Sequence, residues 1–425
     1  MTELANQDTI RPRAPAQAGR LVVLNDFAYA KGGASSLALE NAKQAAGQGW
    51  QVTFISAQTP GENDLADHGV QCVGVGEQPI DPRSPVGGMA KGLYNAACER
   101  FLQAWMDQHD TPQTVYHLHG WSKIFSPSIF RPLSQRAGRV IVHAHDYFPA
   151  CPNGAFINYP KATECTYLPN QLNCLVSNCD QRSYTQKVWR VARHWVKNQW
   201  FDLKDTRFRL VLPHEAMRPY FLRSGCDDAQ IHTIPNPVAP FLTDRIAAED
   251  QQRFAYIGRV VPEKGVDLFL QAARAVGVAA KVIGDGPQLK ALKSRHPEAD
   301  FVGWQDKTSI RAHLQDVRAV VMPSRLRETF GLVAVEALGS GLPVVVSTSS
   351  AIADQVTRLG MGLAVPSGDL DRLCQALRQL AGSDELVASM SANGFGQWPA
   401  IASTNESWTA QLCALYAQTI EGNAP

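Results

Sequence analysis

The sequence predicts an α/β protein built from two doubly wound parallel-sheet domains. The chain has 425 residues, whereas single hydrophobic cores stop growing near roughly 250–300 residues. Short, continuous apolar runs recur along it, and each leads through a loop into a stretch with helical periodicity. That series starts at residue 20 and starts again at residue 253. Strands buried on both faces read as such runs, and their alternation with helices favours parallel sheets.

Composition excludes several classes of protein. Apolar residues make up 45% and charged residues 19%, as in folded soluble domains. The net charge of +1 gives no reason to expect a nucleic-acid partner. We find no apolar signal-peptide core and no run near the roughly 20 apolar residues that cross a bilayer. We therefore expect a cytoplasmic protein whose nine cysteines are thiols or metal ligands rather than disulfides.

The first half is predicted to form one domain, residues 20–236, after a flexible polar tail at 1–19. An irregular insertion rich in Cys, Pro and Asn interrupts it at 151–185. The predicted strands are Arg20–Asn25, Gln51–Ser56, Val115–Leu118 and Arg139–His143, and the first helix is Ala34–Gly47.

The second half restarts the pattern after the proline-rich segment Ile234–Pro240. We predict a second domain at 237–395 and a final segment, 396–425. Ligands of open parallel sheets bind beyond the carboxyl ends of the strands, so the loops there are the candidate site. The predicted strands are Arg253–Ile257, Ala280–Ile283, Arg318–Met322 and Pro343–Ser347, with a helix at Asp267–Val276.

Residues 323–337 carry the strongest chemical signal. They follow a predicted strand and open a helix, where the backbone N–H groups of Gly331 and Leu332 would form an anion site. Glu328 precedes this helix and Glu336 lies inside it, and carboxylates bind sugar hydroxyls well. The alternative is a plain strand–loop–helix with solvated acids.

The loop Gly258–Gly265 gives a second signal. Arg259 and Lys264 are placed to neutralise a diphosphate, and fixed cations stabilise such a leaving group. The alternative is an ordinary basic surface loop. Gly284 resembles part of a dinucleotide fingerprint, but Leu289 replaces the third glycine, so we interpret it as a tight turn at the cleft edge.

Two features of the first half complete the predicted cleft. Gly32 and Gly33 open the first helix and would let a ligand approach the backbone closely. His143 and His145 lie at the end of a strand. In a sugar-transfer cleft such a His would bind a hydroxyl or shield an oxocarbenium ion, and elsewhere it caps the strand.

Taken together, these residues resemble retaining glycosyltransferase family 4 of the GT-B fold. The resemblance rests on Gly258–Gly265, on Glu328 and Glu336 as an E-x7-E pair, and on the glycine pair of the first helix. It covers nearly the whole chain and is strongest from about 253 to 350. It implies two Rossmann-like domains facing across a cleft, with the end of the chain crossing back to the first domain.

The resemblance also implies roles for individual residues. Arg259 and Lys264 would bind the donor diphosphate, Glu328 the donor sugar and Glu336 the ribose. His145 would contact the transferred sugar, and Trp304 would lie at the nucleobase. Catalysis would depend on Glu328, His145, Arg259 and Lys264. The remaining expected donor contacts are Gly32, Gly33, Gly258, Gly284, Phe330, Gly331 and Leu332.

The expected reaction moves a hexosyl unit from a UDP- or GDP-sugar to a glycan or lipid-linked acceptor, without a catalytic metal or other cofactor. We expect this in bacterial-type cell-surface polysaccharide or glycolipid synthesis. The alternatives are a nucleotide-sugar epimerase of the same fold and a non-catalytic nucleotide-sugar binding protein.

Four cysteines cluster in the insertion: Cys151, Cys165, Cys174 and Cys179. Four thiolates can hold a tetrahedral zinc ion. Their spacing, C-x13-C-x8-C-x4-C, lacks paired C-x2-C knuckles. A structural zinc site, free thiols and a redox-formed bridge all remain open.

Residues 182–209 hold eight cations and two acids among interleaved aromatic residues. This pattern fits an interfacial helix on the anionic inner face of the cell membrane. The alternative is a helix whose tryptophans pack inward while its cations are solvated.

Overall fold

The computed structural model describes residues 19–61, 63–80, 85–161 and 163–422. The predicted flexible tail lies outside the described residues except for residue 19. The rest forms two parallel-sheet α/β domains, which confirms the predicted fold class. No helix in the described parts of the chain is both long and apolar enough to span a membrane.

The first sheet has seven parallel strands in the order β3-β2-β1-β4-β5-β8-β9. The central strand β1 pairs on one side with β2 and on the other with β4. A short antiparallel pair, β6 and β7, lies in the insertion. The strands are β1 Arg20–Asn25, β2 Gln51–Ser56, β3 Gln71–Gly74, β4 Thr114–Leu118, β5 Val140–His143, β6 Ile157–Asn158, β7 Thr163–Glu164, β8 Arg209–Leu212 and β9 Ile231–Thr233.

Helices cover both faces of this sheet. The helices before the second domain are α1 Gly33–Gly47, α2 Pro85–Leu93, α3 Ala96–His109, α4 Phe130–Ser134, α5 Leu172–Val176, α6 Tyr184–Asn198 and α7 Arg218–Arg223.

The second sheet has six parallel strands in the order β12-β11-β10-β13-β14-β15. The strands are β10 Arg253–Ile257, β11 Ala280–Ile283, β12 Asp300–Gly303, β13 Val317–Met322, β14 Val344–Ser347 and β15 Gly362–Val365, and the helices are α8 Val266–Val276, α9 Leu289–Arg295, α10 Leu332–Gly339, α11 Ala353–Arg358, α12 Leu370–Ala381 and α13 Asp384–Gln397.

The last helix, α14 (Asn405–Glu421), packs on the first domain. Trp408, Leu412, Leu415 and Tyr416 share one core with α1 and with the alternate residues of β1. Helix α14 therefore follows the second domain in sequence but packs on the first, and it ties the two halves together.

Candidate functional site

The loops after β10 and β11 meet closely. A Cβ on Gly284 would lie 1.8 Å from the carbonyl oxygen of Gly258, so only glycine fits there. The hydroxyl of Tyr256 donates to the carbonyl of Arg259 at 2.8 Å and supports the first loop. Loop packing thus accounts for Gly284, and its predicted donor contact stays a prediction.

The loops after β10 and β13 are joined by charge and backbone contacts. Lys264 and Glu328 form a close ion pair between their side chains. The N–H of Arg325 donates to the carbonyl of Glu263 at 2.8 Å. Gly265 has φ 70°, and a Cβ there would lie 2.2 Å from the carbonyl oxygen of Pro323. The predicted cation Lys264 and the predicted acid Glu328 are therefore held together by two closely packed loops.

The helix start behind this pair has the predicted form. Gly331 is the N-cap of α10 and has φ 91°, a left-handed conformation that favours glycine. Further along the same helix, Glu336 is buried, and its Oε1 lies 3.4 Å from Nζ of Lys307. Burial raises the pKa of this carboxyl, and Lys307 opposes the rise. The orphan N–H groups and the acid thus lie along one segment.

Two predicted donor contacts differ in what their side chains can offer. Trp304 is 72% exposed in the loop after β12, so its ring is free to stack. Phe330 is 2% exposed, and its ring lies against His214. The ring of Phe330 is therefore part of the packing beneath the loop, and its predicted donor contact stays a prediction.

A cleft of about 700 Å³ brings residues of both halves together. Gly32, Gly33, His145 and Arg259 all line it. The hydroxyl of Thr329 donates to the carbonyl of His145 at 3.0 Å, which places the Glu328 loop against the first domain. Four of the sequence-predicted residues thus line one space, whereas Lys264, Glu328 and Glu336 are not among its lining residues. The roles of all of them stay predictions.

A column of four histidines runs from this cleft into the first domain, and three of them, His119, His143 and His145, line the cleft. His117 lies in β4 and His119 follows that strand. On the neighbouring strand, His143 is the last residue of β5 and His145 follows it. The four rings therefore stack across the two strands. Ring centroids lie 4.2 Å apart for His117–His119 and for His143–His145. His119 Nδ1 is 3.0 Å from His145 Nε2, which links the buried part of the column to the cleft.

Asn41 and Tyr416 set the inner end of the column. The Tyr416 hydroxyl donates to Oδ1 of Asn41 at 2.9 Å and lies 2.7 Å from His117 Nδ1. Asn41 Nδ2 lies 3.1 Å from His119 Nε2. A helix from each end of the chain therefore orients these rings.

Burial keeps the histidines neutral. It lowers the pKa of His145 to about 3 and takes those of His117, His119 and His143 well below the usual range. A neutral His145 can accept or donate a hydrogen bond to a sugar hydroxyl.

Three rings of the column have nitrogens close enough for a metal ion, since atoms of His117, His119 and His143 lie within 4.8 Å of one another. However, both nitrogens of His119 already face partners, Asn41 and His145. The column is therefore a hydrogen-bonded support for His145 as it stands.

Two aspartates lining the cleft were missed from the sequence. Asp26 accepts from the backbone N–H groups of Lys123, Ile124 and Phe125 at 2.7–3.0 Å, so it fixes the loop after β4. Burial raises the pKa of Asp146 to about 6. Each follows a strand at the sheet's carboxyl edge, and that position was the available signal.

Helix α6 differs from both predicted arrangements, because several of its cations face inward. Lys187, Arg193 and Lys197 are buried, whereas Trp195 is 63% exposed. Nζ of Lys197 donates to the carbonyls of Pro149 and Phe201 at 2.8 and 3.0 Å. Backbone carbonyls and aromatic rings satisfy the buried cations, so neither arrangement describes all of this region. The predicted contact with an anionic membrane stays a prediction.

The four insertion cysteines do not form a ligand set. In the described parts of the chain, the one group of potential ligands within 4.8 Å of one another is the histidine trio, not the thiols. Instead, Nζ of Lys187 donates to Sγ of Cys174 at 3.3 Å. All four are free thiols in this structure, and the zinc site stays a prediction.

Two family models match the chain and together cover both domains. One, described as Glycosyltransferase Family 4, matches residues 31–240, and the other, Glycosyl transferases group 1, matches residues 251–383.

The curated relatives agree with these matches. D-inositol 3-phosphate glycosyltransferase of Streptomyces griseus is 25% identical over 421 residues, which is 90% of this chain and 85% of that protein. GDP-mannose-dependent alpha-mannosyltransferase of Mycobacterium tuberculosis is 33% identical over 150 residues, or 34% of this chain. That match spans 39% of the relative's own length, and a match to an uncharacterized glycosyltransferase of Methanocaldococcus jannaschii spans 41%.

Solved structures share the fold. Sucrose-phosphate synthase from Thermosynechococcus elongatus is 17% identical with a TM-score of 0.68, covering 95% of this chain and 100% of that one. Anabaena HepE in complex with UDP is 15% identical with a TM-score of 0.63, covering 94% and 100%. With the two family models and the cleft between two parallel sheets, these findings show that the chain belongs to glycosyltransferase family 4 and has the GT-B fold.

Proposed function

We propose that this protein is a retaining hexosyltransferase that uses a nucleotide-diphosphate sugar. The observation that carries the proposal is that Arg259 lines the cleft while the loop of the Lys264–Glu328 pair and the start of α10 adjoin it. Thr329 contacts His145, and the side chain of Leu332 lies beside Gly33. Named relatives support the donor class: one uses GDP-mannose, and HepE was solved with UDP-glucose. The donor is accordingly a UDP- or GDP-sugar, and the acceptor a glycan or lipid-linked hydroxyl.

In the proposed reaction, the bond between the sugar and the diphosphate breaks first. Negative charge grows on the leaving oxygen, where Arg259, Lys264 and the N–H groups of α10 stabilise it. The acceptor hydroxyl attacks the same face of the sugar and passes its proton to the departing phosphate. His145 lies beside the reacting sugar, and no carboxylate serves as a nucleophile. These cations supply the charge neutralisation, so the proposal assigns no metal ion to the step.

Paired variants test the donor site. Replacing Arg259 or Lys264 with Met should lower kcat about a hundredfold, because the lost interaction is strongest in the transition state. Lys293→Met, on the exposed face of α9, is the matched control. A thermal-shift screen against UDP- and GDP-sugars identifies the donor beforehand. Near-normal turnover in both variants would contradict the proposal.

Product analysis tests the stereochemistry and the reaction class. Proton NMR of the new glycosidic bond should give the same anomeric configuration as the donor. An inverted configuration would contradict the front-face mechanism. Formation of an epimerised donor in the absence of any acceptor would show that the protein is an epimerase and not a transferase.

We further propose that an exposed apolar face formed by α5 and α6 rests on a membrane surface. Tyr184, Val188 and Trp195 of α6 are exposed, and so are Leu172 and Val176 of α5. The hydroxyl of Tyr184 donates to the carbonyl of Leu175 at 3.1 Å, so the two helices form one face. Tyr and Trp favour the membrane interface, and this contact would depend on apolar burial rather than on cations.

Vesicle flotation tests this contact. Wild-type protein should float with phosphatidylcholine vesicles in high salt, and a Val188→Ser/Trp195→Ser double variant should not. Leu222→Ser changes an exposed leucine elsewhere and should float like wild type. Wild-type protein that stays at the bottom of the gradient would end the membrane proposal.

A further inference from the structure

The lining of the cleft is strongly positive on the side of the first domain. The whole chain has a net charge of +1. Six cations and two acids line this one space, and five of the six cations belong to the first domain. The cations are Lys31, Lys123, Arg182, Arg190, Arg193 and Arg259, and the acids are Asp26 and Asp146.

Most of the first-domain cations lack an acidic partner. In the part of the chain that the structure describes, Lys31, Lys123 and Arg182 have no carboxylate within 4.0 Å. Arg190 is neutralised by Asp180 at 2.8 Å. A cleft with low-dielectric walls focuses the field of such unpaired charges and concentrates anions.

Arg193 is packed inside the first domain rather than exposed to solvent. Its side chain is 6% exposed, one guanidinium nitrogen donates to the carbonyl of Ser122 at 2.8 Å, and its Nε has no partner among the described residues. Its guanidinium lies 5.0 Å from the centroid of the Trp121 ring. Keeping a partly unpartnered guanidinium buried costs free energy, and an anion in the cleft would offset that cost.

The donor does not account for these charges. In the proposed function the leaving diphosphate is held by Arg259, Lys264 and the start of α10, all in the second domain. Lys123 follows β4, and Arg182 and Arg193 belong to the insertion and α6. They form the wall on the acceptor's side.

We propose that this wall binds a phosphate group on the acceptor, next to the hydroxyl that receives the sugar. A phosphate monoester carries about −1.5 to −2 charges and three strong acceptor oxygens, which match several converging cations better than one carboxylate does. This inference rests on the proposed function for the identity of the second substrate. Binding of phosphate to the wall can be measured without any transfer reaction.

The test uses glycerol 3-phosphate and glycerol as a matched pair of probes, with the donor site saturated by the nucleoside diphosphate found in the thermal-shift screen. Glycerol 3-phosphate should raise the Tm and glycerol should not. A Lys123→Gln/Arg182→Gln variant should bind glycerol 3-phosphate about tenfold more weakly or worse, because charge-assisted hydrogen bonds are lost. Its affinity for the nucleoside diphosphate should stay within about twofold of wild type.

The control variant is Lys290→Gln/Lys293→Gln, which removes the same charge from the exposed face of α9. It should bind the probe like wild type. Equal weakening in both double variants, or no binding by wild type, would overturn the proposal. If no nucleoside diphosphate binds, the proposed function fails instead, and the same comparison is made on the nucleotide-free protein.

Vesicles separate the two sources of phosphate. A preference for phosphatidic acid over phosphatidylcholine vesicles that the Lys123→Gln/Arg182→Gln variant loses assigns a lipid-borne phosphate. Binding of glycerol 3-phosphate with no such preference assigns a soluble phosphorylated acceptor. Both results support a phosphate-bearing acceptor.

Discussion

Asp146 shows how the cleft sets the ionisation of a single residue. It accepts a hydrogen bond from the N–H of Phe148 at 2.9 Å. Burial raises its pKa to about 6, while that hydrogen bond and the nearby Lys123 and Arg193 oppose the rise. The same cations that would bind an acceptor phosphate therefore keep this carboxyl from rising further.

The raised pKa of Asp146 has a predictable effect on stability. The folded state holds the proton more tightly than the unfolded state, whose Asp pKa is about 3.9, so this group destabilises the fold as pH rises from about 4 to 6. Asp146→Asn should therefore raise the Tm relative to wild type at pH 7, with a smaller gain at pH 4. Thermal unfolding at both pH values measures this. An equal difference at both would contradict the assignment.

At the scale of elements, the histidines of β4 and β5 differ in how well their ring nitrogens are hydrogen-bonded. His117 Nδ1 has a partner in Tyr416, but both nitrogens of the buried His143 lack one among the described residues. An unsatisfied buried polar atom costs about 1–3 kcal/mol. His143 therefore lowers stability at a position where an apolar residue would fit a parallel strand.

His143→Leu should stabilise the protein or leave its stability unchanged at pH 7. His117→Leu is the matched control on the neighbouring strand β4. It should lower the free energy of unfolding by about 1–3 kcal/mol, because it removes hydrogen-bond partners from Asn41 and Tyr416. Urea unfolding of both variants gives the comparison. A large loss in His143→Leu would mean that its ring has a partner.

The pH dependence of the column follows from its lowered pKa values. Groups held neutral in the folded state favour unfolding once the unfolded histidines, with pKa near 6.5, begin to protonate. Wild-type stability should therefore fall as the pH drops below about 6.5. His143→Leu should show a shallower fall between pH 7 and pH 5 by the same urea assay.

At the scale of the whole molecule, contacts distant in sequence hold the cleft together. Arg327 of the second domain pairs with Glu164 of the insertion at 3.0 Å, and His214 Nε2 lies 2.6 Å from Oε1 of Gln355. Helix α14 returns to the first domain and inserts the Tyr416 hydroxyl between Asn41 and His117.

Tyr416→Phe tests the hydrogen bonds that α14 makes to the first domain. The variant removes one hydroxyl and leaves Asn41 Oδ1 without its donor, so we expect a loss of about 1–3 kcal/mol in unfolding free energy. Tyr29→Phe changes an exposed tyrosine and should have no measurable effect. Equal effects in the two variants would show that α14 is held by its apolar face alone.

The sequence by itself determined the strands with continuous branched runs. Arg20–Asn25, Gln51–Ser56, Arg253–Ile257 and Ala280–Ile283 were predicted with the bounds that the structure has. Their pattern is local, since a strand buried on both faces must be apolar throughout. Strands β3 and β12, which are partly exposed, lack that run and were not predicted.

Tertiary structure alone decided which way α6 faces and what the cleft contains. The sequence pattern of α6 separates cations from apolar residues but does not say which side is buried. Carbonyls and aromatic faces from distant segments make the cationic side the inner one, as at Lys197 and Arg193. Burying a charge is unfavourable unless the fold brings partners to it, and these partners are distant in sequence. The local sequence of α6 therefore could not predict that its cations line the cleft.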